Sequence, residues 1–299
     1  MKKQLKADLA LLLVTIIWGS TFVLTKNALE SLETYNFLAI RFVIAFVVSS
    51  IVFWKNMKNI NKNTLKYGFL VGILLFSAYA TQTIGLLYTS ASKSGFITGF
   101  AVVIVPIASA LLLKKLPEKE SIIGVTCAIV GLALLSLDSN LKPNIGDFYT
   151  LLCAFGYAFQ IILVGKYTNE VDSIAFAIIQ IGTVALFSIL FTFMLETPVI
   201  PSNSKAWTAI LVTSVFATSG AYIVQTTMQK FTSATHTALI YSGEPVFSAI
   251  FAYILLGEIL STQGIIGSIL IFVGMIISEV DLKSLFKKKE DINEEILEK

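Results

Sequence analysis

Glu244 lies near the middle of a long apolar run in this 299-residue chain, and Pro245 follows it. A charge in a hydrocarbon layer costs about 2.5–3.5 kcal/mol on insertion scales, so an acid there needs a reason. One reason is a carboxyl that gains and loses a proton during a transport cycle. The other is a neutral acid bonded across helices to stiffen a hinge. Proline lacks the N–H that would bond the Tyr241 carbonyl, which leaves an extra acceptor beside the acid. Arg41, the one arginine against 21 lysines, sits six residues into another apolar run. It cannot shed its charge and forks onto carboxylates or carbonyls, in a cavity or in a purely structural contact.

Two further groups are duplicated. Tyr79, Gln82 and Thr83 recur as Tyr222, Gln225 and Thr226, a shift of 143. Residues three apart share one helix face, so each Tyr–Gln pair offers an aromatic wall and an amide. Hydrogen bonding between helices is the alternative use for the same residues. Trp18 and its counterpart Tyr157 join them as candidate solute-binding residues, with Ser20, Thr21 and Gln160 secondary. Lys93 and His236 also align at 143, each three residues into its run. They are expected near opposite faces, as cavity entrances or as interfacial residues. A lone histidine holds no metal site. No catalytic residue, metal or cofactor is expected.

These residues must be positioned by membrane helices. The chain is 56% hydrophobic and only 14% charged, against roughly 25% charged in soluble domains. A helix crosses the ~30 Å hydrocarbon layer in about 20 residues. Ten runs qualify: 7–29, 35–54, 65–88, 91–113, 120–137, 147–167, 172–195, 206–229, 233–256 and 262–280. The first, after Lys2, Lys3 and Lys6, resembles a signal peptide. No small-residue cleavage site follows and the run continues to Leu24, so a retained span is expected. Cys127 and Cys153 lie in apolar runs of different halves and suggest no disulfide.

The repeat covers both halves. Asp8, Trp18, Phe37 and Arg41 fall on Asp147, Tyr157, Phe176 and Gln180 at a shift of 139. The expected units are 7–137 and 147–281, five spans each, followed by a charged tail, 282–299. With the N-terminus inside, sixteen lysines up to Lys289 face inward and only Lys26, Lys93, Lys142 and Lys205 face outward. That bias places both termini in the cytoplasm of a plasma-membrane protein. An odd number of spans per half makes the repeat inverted, around a central cavity. Glycines at 68 and 72, 95 and 99, and 124 and 131 suit close helix contacts. Pro106 and Pro245 mark possible kinks in the corresponding fourth and ninth spans.

Trp18-Gly19-Ser20-Thr21-Phe22, Ile40-Arg41-Phe42 and Tyr88-Thr89-Ser90-Ala91-Ser92-Lys93-Ser94-Gly95-Phe96 resemble the first EamA repeat of the drug/metabolite transporter superfamily. Gly146-Asp147, Tyr157-Ala158, Glu244-Pro245-Val246-Phe247 and Leu256-Gly257-Glu258, with Gly267 and Gly274, resemble the second. The resemblance implies ten helices around a cavity and secondary transport of small polar metabolites, with export of amino acids first and nutrient uptake or exchange second. It implies no single solute. Lys115 stands where the first repeat often carries an acid, so Glu258 is read as a helix-end or loop contact. The partners expected are a small solute and membrane lipids, without nucleic acid, for a monomer or weak homodimer. An intramembrane serine enzyme using His236 is the competing class, but its residues would lie on opposite faces. A channel would need a charged ring or filter loop, and none is apparent.

Overall fold

The computed structural model describes residues 2–58, 60–112, 119–136 and 144–279. Every regular element among them is a helix. We number the main helices α1 (Lys2–Ala28), α2 (Thr34–Val52), α3 (Lys62–Leu86), α4 (Ala91–Gly99 and Ala101–Leu112) and α5 (Lys119–Ser136). The chain continues with α6 (Ile145–Tyr167), α7 (Ser173–Leu195), α8 (Ser204–Met228), α9 (Ala234–Tyr241 and Glu244–Leu256) and α10 (Thr262–Glu279). A single helical turn, Trp54–Met57, follows α2.

Eight of these helices, α1–α4 and α6–α9, are long and apolar enough to cross a membrane. Within α5 and α10 the apolar stretches are shorter, Ile122–Leu135 and Thr262–Met275. The expected tail, 282–299, lies outside the described residues, as does Lys115. Large apolar side chains face outward, Phe193 at 73% exposure and Ile254 at 67%. Arg41, Gln82, Gln160, Gln180 and Gln225 are buried. Polar side chains inside and apolar ones outside suit a lipid surround, where helices associate by packing and hydrogen bonds.

The helix starts are encoded locally. Asn61, Ser90, Asn144, Asp172, Asn203 and Ser233 each accept a backbone N–H from the first turn of the helix that follows. Such caps satisfy donors with no partner inside the helix. Two helix starts are also held from the second half. Glu196 accepts the Tyr35 and Asn36 N–H groups at 2.9 and 2.7 Å. Glu258 accepts those of Ala91 and Ser92 at 3.1 and 3.0 Å and pairs with Lys26 at 3.2 Å. Gly257, at φ 66°, ends α9 in the left-handed conformation that glycine adopts without strain and so aims Glu258 back.

Packing crosses between the halves. α3 lies on α6 and α7 as α8 lies on α1 and α2, while α9 contacts α1 and α4, and α5 packs along α10. Gly131 and Gly267 face each other across the last pair. A Cβ on either would come within 2.6 Å of the other's carbonyl oxygen. The small-residue stripe therefore brings two backbones together.

α4 and α9 are both interrupted, at Phe100 and at Ser242–Gly243. Phe100 aligns with Gly243 at a shift of 143, so the two breaks correspond although the prolines do not. In α4 the break precedes Pro106 by six residues, whereas Pro245 enters the first turn of the second piece of α9. Both breaks are closed by tightened i→i+3 bonds, Phe100 N–H to Ile97 O and Gly243 N–H to Ile240 O. Pro106 itself lies within the continuous second piece of α4, Ala101–Leu112.

Candidate functional site

A cavity opens between the halves at the level of these breaks. α1 contributes Trp18 and Thr21, α3 Tyr79 and Gln82, and α4 Thr98. The second half contributes Tyr157 and Gln160 from α6, Tyr222 and Gln225 from α8, and Tyr241 and Glu244 from α9. The free volume is about 40 Å³, room for only a few waters.

The aromatic frame is two-fold in its contacts. Trp18 meets Tyr222 at 5.3 Å and Tyr157 meets Tyr79 at 5.6 Å between ring centroids. Tyr222 donates its hydroxyl proton to Tyr79 Oη at 3.0 Å where the two sets join. Trp18 also meets Tyr241 at 5.0 Å, and its Nε1 donates to the Ala217 carbonyl at 2.8 Å. Ala217 belongs to a π-helical stretch of α8, Thr213–Gly220. Wider turns of this kind present backbone groups sideways and often mark functional sites.

Arg41 is not a lining residue. It is 2% exposed, its Nε donates to Thr218 Oγ1 at 2.9 Å, and its Nη2 donates to Tyr79 Oη at 3.2 Å. Its guanidinium carbon stands 4.8 Å from the centre of the Tyr79 ring. Arg41 thus supports the wall from behind. Ser49 and Ser219 extend the same α2–α8 seam with a 2.6 Å hydroxyl contact.

The amides differ between halves. Gln82 Nε2 donates to Thr98 Oγ1 at 3.0 Å, and its Oε1 accepts from the Tyr157 hydroxyl at 3.2 Å. Gln225 Nε2 donates to Gln160 Oε1 at 3.1 Å, and Gln160 Nε2 donates to Gln180 Oε1 at 3.2 Å. Gln180 Nε2 ends the relay on the Phe176 carbonyl at 3.3 Å. Glu244 makes no hydrogen bond or ion pair with a described residue. Pro245 packs where a Cβ on Gly99 would meet its Cγ at 2.5 Å, so the α4 and α9 breaks abut.

Lys93 and His236 lie away from the cavity. Lys93 Nζ faces Asp147 Oδ2 at 3.8 Å, at the start of α6. His236 Nε2 faces Asp8 Oδ1 at 3.2 Å, near the start of α1. Each pair joins the start of one half's fourth helix to the start of the other half's first. Thr89 also donates to Asp147. Sequence reading noted that Asp8 aligns with Asp147 and Lys93 with His236 without pairing them. It missed Thr98, Thr218 and the side chain of Tyr241. Tyr241 alone carried a signal, standing three residues before Glu244 on one face.

The EamA-like transporter family matches residues 5–137 and again 144–279. An uncharacterized transporter of Archaeoglobus fulgidus is 36% identical over 277 residues, 92% of this chain and 86% of that one. The uncharacterized transporter YvbV of Bacillus subtilis is 27% identical, covering 98% and 99%. One solved crystal structure shares the fold at 19% identity and a TM-score of 0.68, covering 91% of this chain and 97% of the other. With apolar helices throughout and the family model matched in both halves, the chain belongs to the EamA-like transporter family, a family of membrane transporters and not of enzymes.

Proposed function

We propose that this chain is a secondary transporter that exports a small polar metabolite by alternating access. Two inverted five-helix repeats, 7–137 and 147–281, rock about the central cavity, in a plasma membrane with both termini cytoplasmic. The observation that carries this reading is a cavity walled by matched residues of both halves, Trp18 with Tyr222 and Tyr157 with Tyr79. Solute sites of repeat-built carriers lie where the repeats meet. Inversion is supported by contacts that sort to two ends. Asn56–Asp172 and His236–Asp8 lie at one, Lys205–Glu30 and Lys26–Glu258 at the other.

Solute rests among Trp18, Tyr79, Gln82, Tyr157, Tyr222 and Gln225, and Arg41 holds their frame. The Lys93–Asp147 and His236–Asp8 pairs act as latches of the two gates, one broken in each orientation. Glu244 carries the coupled proton and Pro245 lets α9 respond. The chain works as a monomer or weak homodimer among lipids.

The test is counterflow in proteoliposomes loaded with metabolite mixtures. Saturable exchange that is absent from protein-free vesicles is expected, while conductance without saturation would mean a channel. For topology, cysteines placed at Lys55 and Ser202 should label from opposite sides of intact cells, Ser202 from outside. Labelling of both from one side would break the ten-span scheme.

A further inference from the structure

The polar atoms left without partners at the cavity are all oxygens. Gln225 Oε1 and the Tyr241 hydroxyl are buried and unbonded, and the Glu244 carboxyl is unpaired among the described residues. The Gln225 amide is not free to flip and put its nitrogen where that oxygen stands. The relay Gln225–Gln160–Gln180 ends on the Phe176 carbonyl, and a backbone carbonyl only accepts. Its direction is therefore anchored at α7, and the cavity end of the chain of amides is an acceptor.

Charge points the same way. The lining holds one acid and no lysine, arginine or histidine. Arg41 is turned into Thr218 and Tyr79. A solute carboxylate would meet Glu244 and a bare amide oxygen with no cation to compensate, and only the Tyr241 hydroxyl among these unspent atoms could donate to it. An ammonium meets the complement of every unspent atom. The rings of Trp18, Tyr157, Tyr222 and Tyr241 line the same space, and aromatic faces attract cations.

We propose that the solute is a protonated primary or secondary amine on a small apolar body, its N–H groups directed to Glu244, Gln225 Oε1 and the Tyr241 hydroxyl, and not a zwitterion or an acid. This rests on the transporter reading above and narrows it. It sets aside the amino acids that the family resemblance favours, since no cation in the lining meets their carboxylate.

Binding to the purified full-length chain in nanodiscs, followed by calorimetry, tests the class with matched probes: phenethylamine, phenylalanine, 3-phenylpropionate and 2-phenylethanol. Butylamine and tryptamine vary the body. The best amine should bind at least about tenfold tighter than the zwitterion, acid and alcohol, a gap of roughly 1.4 kcal/mol. Glu244→Gln should shrink the amine-to-alcohol gap to less than about threefold, and Tyr241→Phe should weaken the amine severalfold. The wild-type ranking decides the matter even if a variant fails to fold. Phenylalanine bound as tightly as phenethylamine, or no binding by any amine of the panel, overturns the proposal. Counterflow separates the two readings. An amine that binds but never exchanges across the vesicle membrane leaves the site assignment and removes the carrier. A zwitterion that exchanges while the amines neither bind nor exchange removes the assignment and leaves the carrier.

Discussion

The two halves build the same frame and furnish it differently. Trp18 against Tyr222 and Tyr157 against Tyr79 repeat one ring contact to within 0.3 Å, from 5.3 to 5.6 Å. The Asp8–His236 and Asp147–Lys93 pairs repeat one tether, and Ser90 and Ser233 repeat one helix cap. Where chemistry is concentrated, matched positions diverge. Arg41 stands against Gln180, Thr21 against Gln160, and Ala101 against Glu244. Only α8 carries a π-helical stretch among the described helices. On the alternating-access proposal, a frame that opens to two sides is needed twice, whereas a solute needs to be read once. On the proposed reading the duplicated residues wall the space that the solute occupies, and the unmatched Glu244 supplies the one charge that lines it.

The sharpest way to break this division is to remove the unmatched acid. Glu244→Gln keeps the shape and mimics the protonated carboxyl. Flux measured under an imposed pH gradient should lose accumulation entirely, while exchange at equilibrium persists. A wild-type flux indifferent to the gradient, or a mutant that still accumulates solute, would sink the coupling role.

Arg41 and Gln180 give the next contrast. Arg41→Ala removes two hydrogen bonds from a charged donor, worth about 1.5–3 kcal/mol each, and a fully buried volume besides. Gln180→Ala cuts one relay and should cost only about 1–3 kcal/mol. Thermal unfolding in detergent should show the larger fall for Arg41→Ala. Equal falls would mean that Arg41 is filler and that Tyr79 needs no support.

Gln82 and Gln225 occupy matched positions with different remaining capacity. Gln82 uses both ends of its amide, on Thr98 and Tyr157, whereas Gln225 keeps a free oxygen. Gln225→Ala should weaken solute affinity severalfold, for one bond of about 0.5–1.5 kcal/mol, and, by leaving Gln160 Oε1 without its donor, cost about 1–3 kcal/mol of stability. Gln82→Ala should cost comparable stability with the smaller loss of affinity, since both ends of its amide are already used. Unchanged affinity in both would return the pair to packing.

Much of the frame was legible because hydropathy is a local signal. Each of the ten apolar runs overlaps one of the ten main helices, and the six capping residues are of the expected types. The α4 break was not legible, because Pro106 drew attention six residues past Phe100. The π stretch was hidden in Thr213–Gly220, which contains no proline. Arg41 was singled out, but its partner Thr218 lies 177 residues away, and only α2–α8 packing brings them together. The ion pairs needed two alignments at different shifts, 139 and 143, to be read against each other.

The smallest effect separates two acids of the second half that both hold helix starts of the first. Burial alone would raise the Glu258 carboxyl, but the Ser92 and Ala91 N–H groups and the Lys26 ammonium outweigh it and hold it below the ordinary 4.5. At Glu196 burial is again the largest influence. There, with Glu33 adding repulsion, it outweighs the Tyr35 and Asn36 N–H groups and raises the carboxyl above 4.5. The signs of linkage are therefore opposite. Glu258 contributes stability that is present above the unfolded value and lost as pH falls below 4.5 through the folded one. Glu196 contributes stability that is present below the unfolded value and lost as pH rises above 4.5. Both groups are partly exposed, so each effect should stay under about 1 kcal/mol. Unfolding midpoints from pH 3.5 to 6 should show Glu258→Gln flattening the acid side of the profile. Glu196→Gln should flatten the side above 4.5. If both variants flatten the same side, Lys26 and Glu33 do not set the difference, and the two second-half acids hold the first half in one way rather than two.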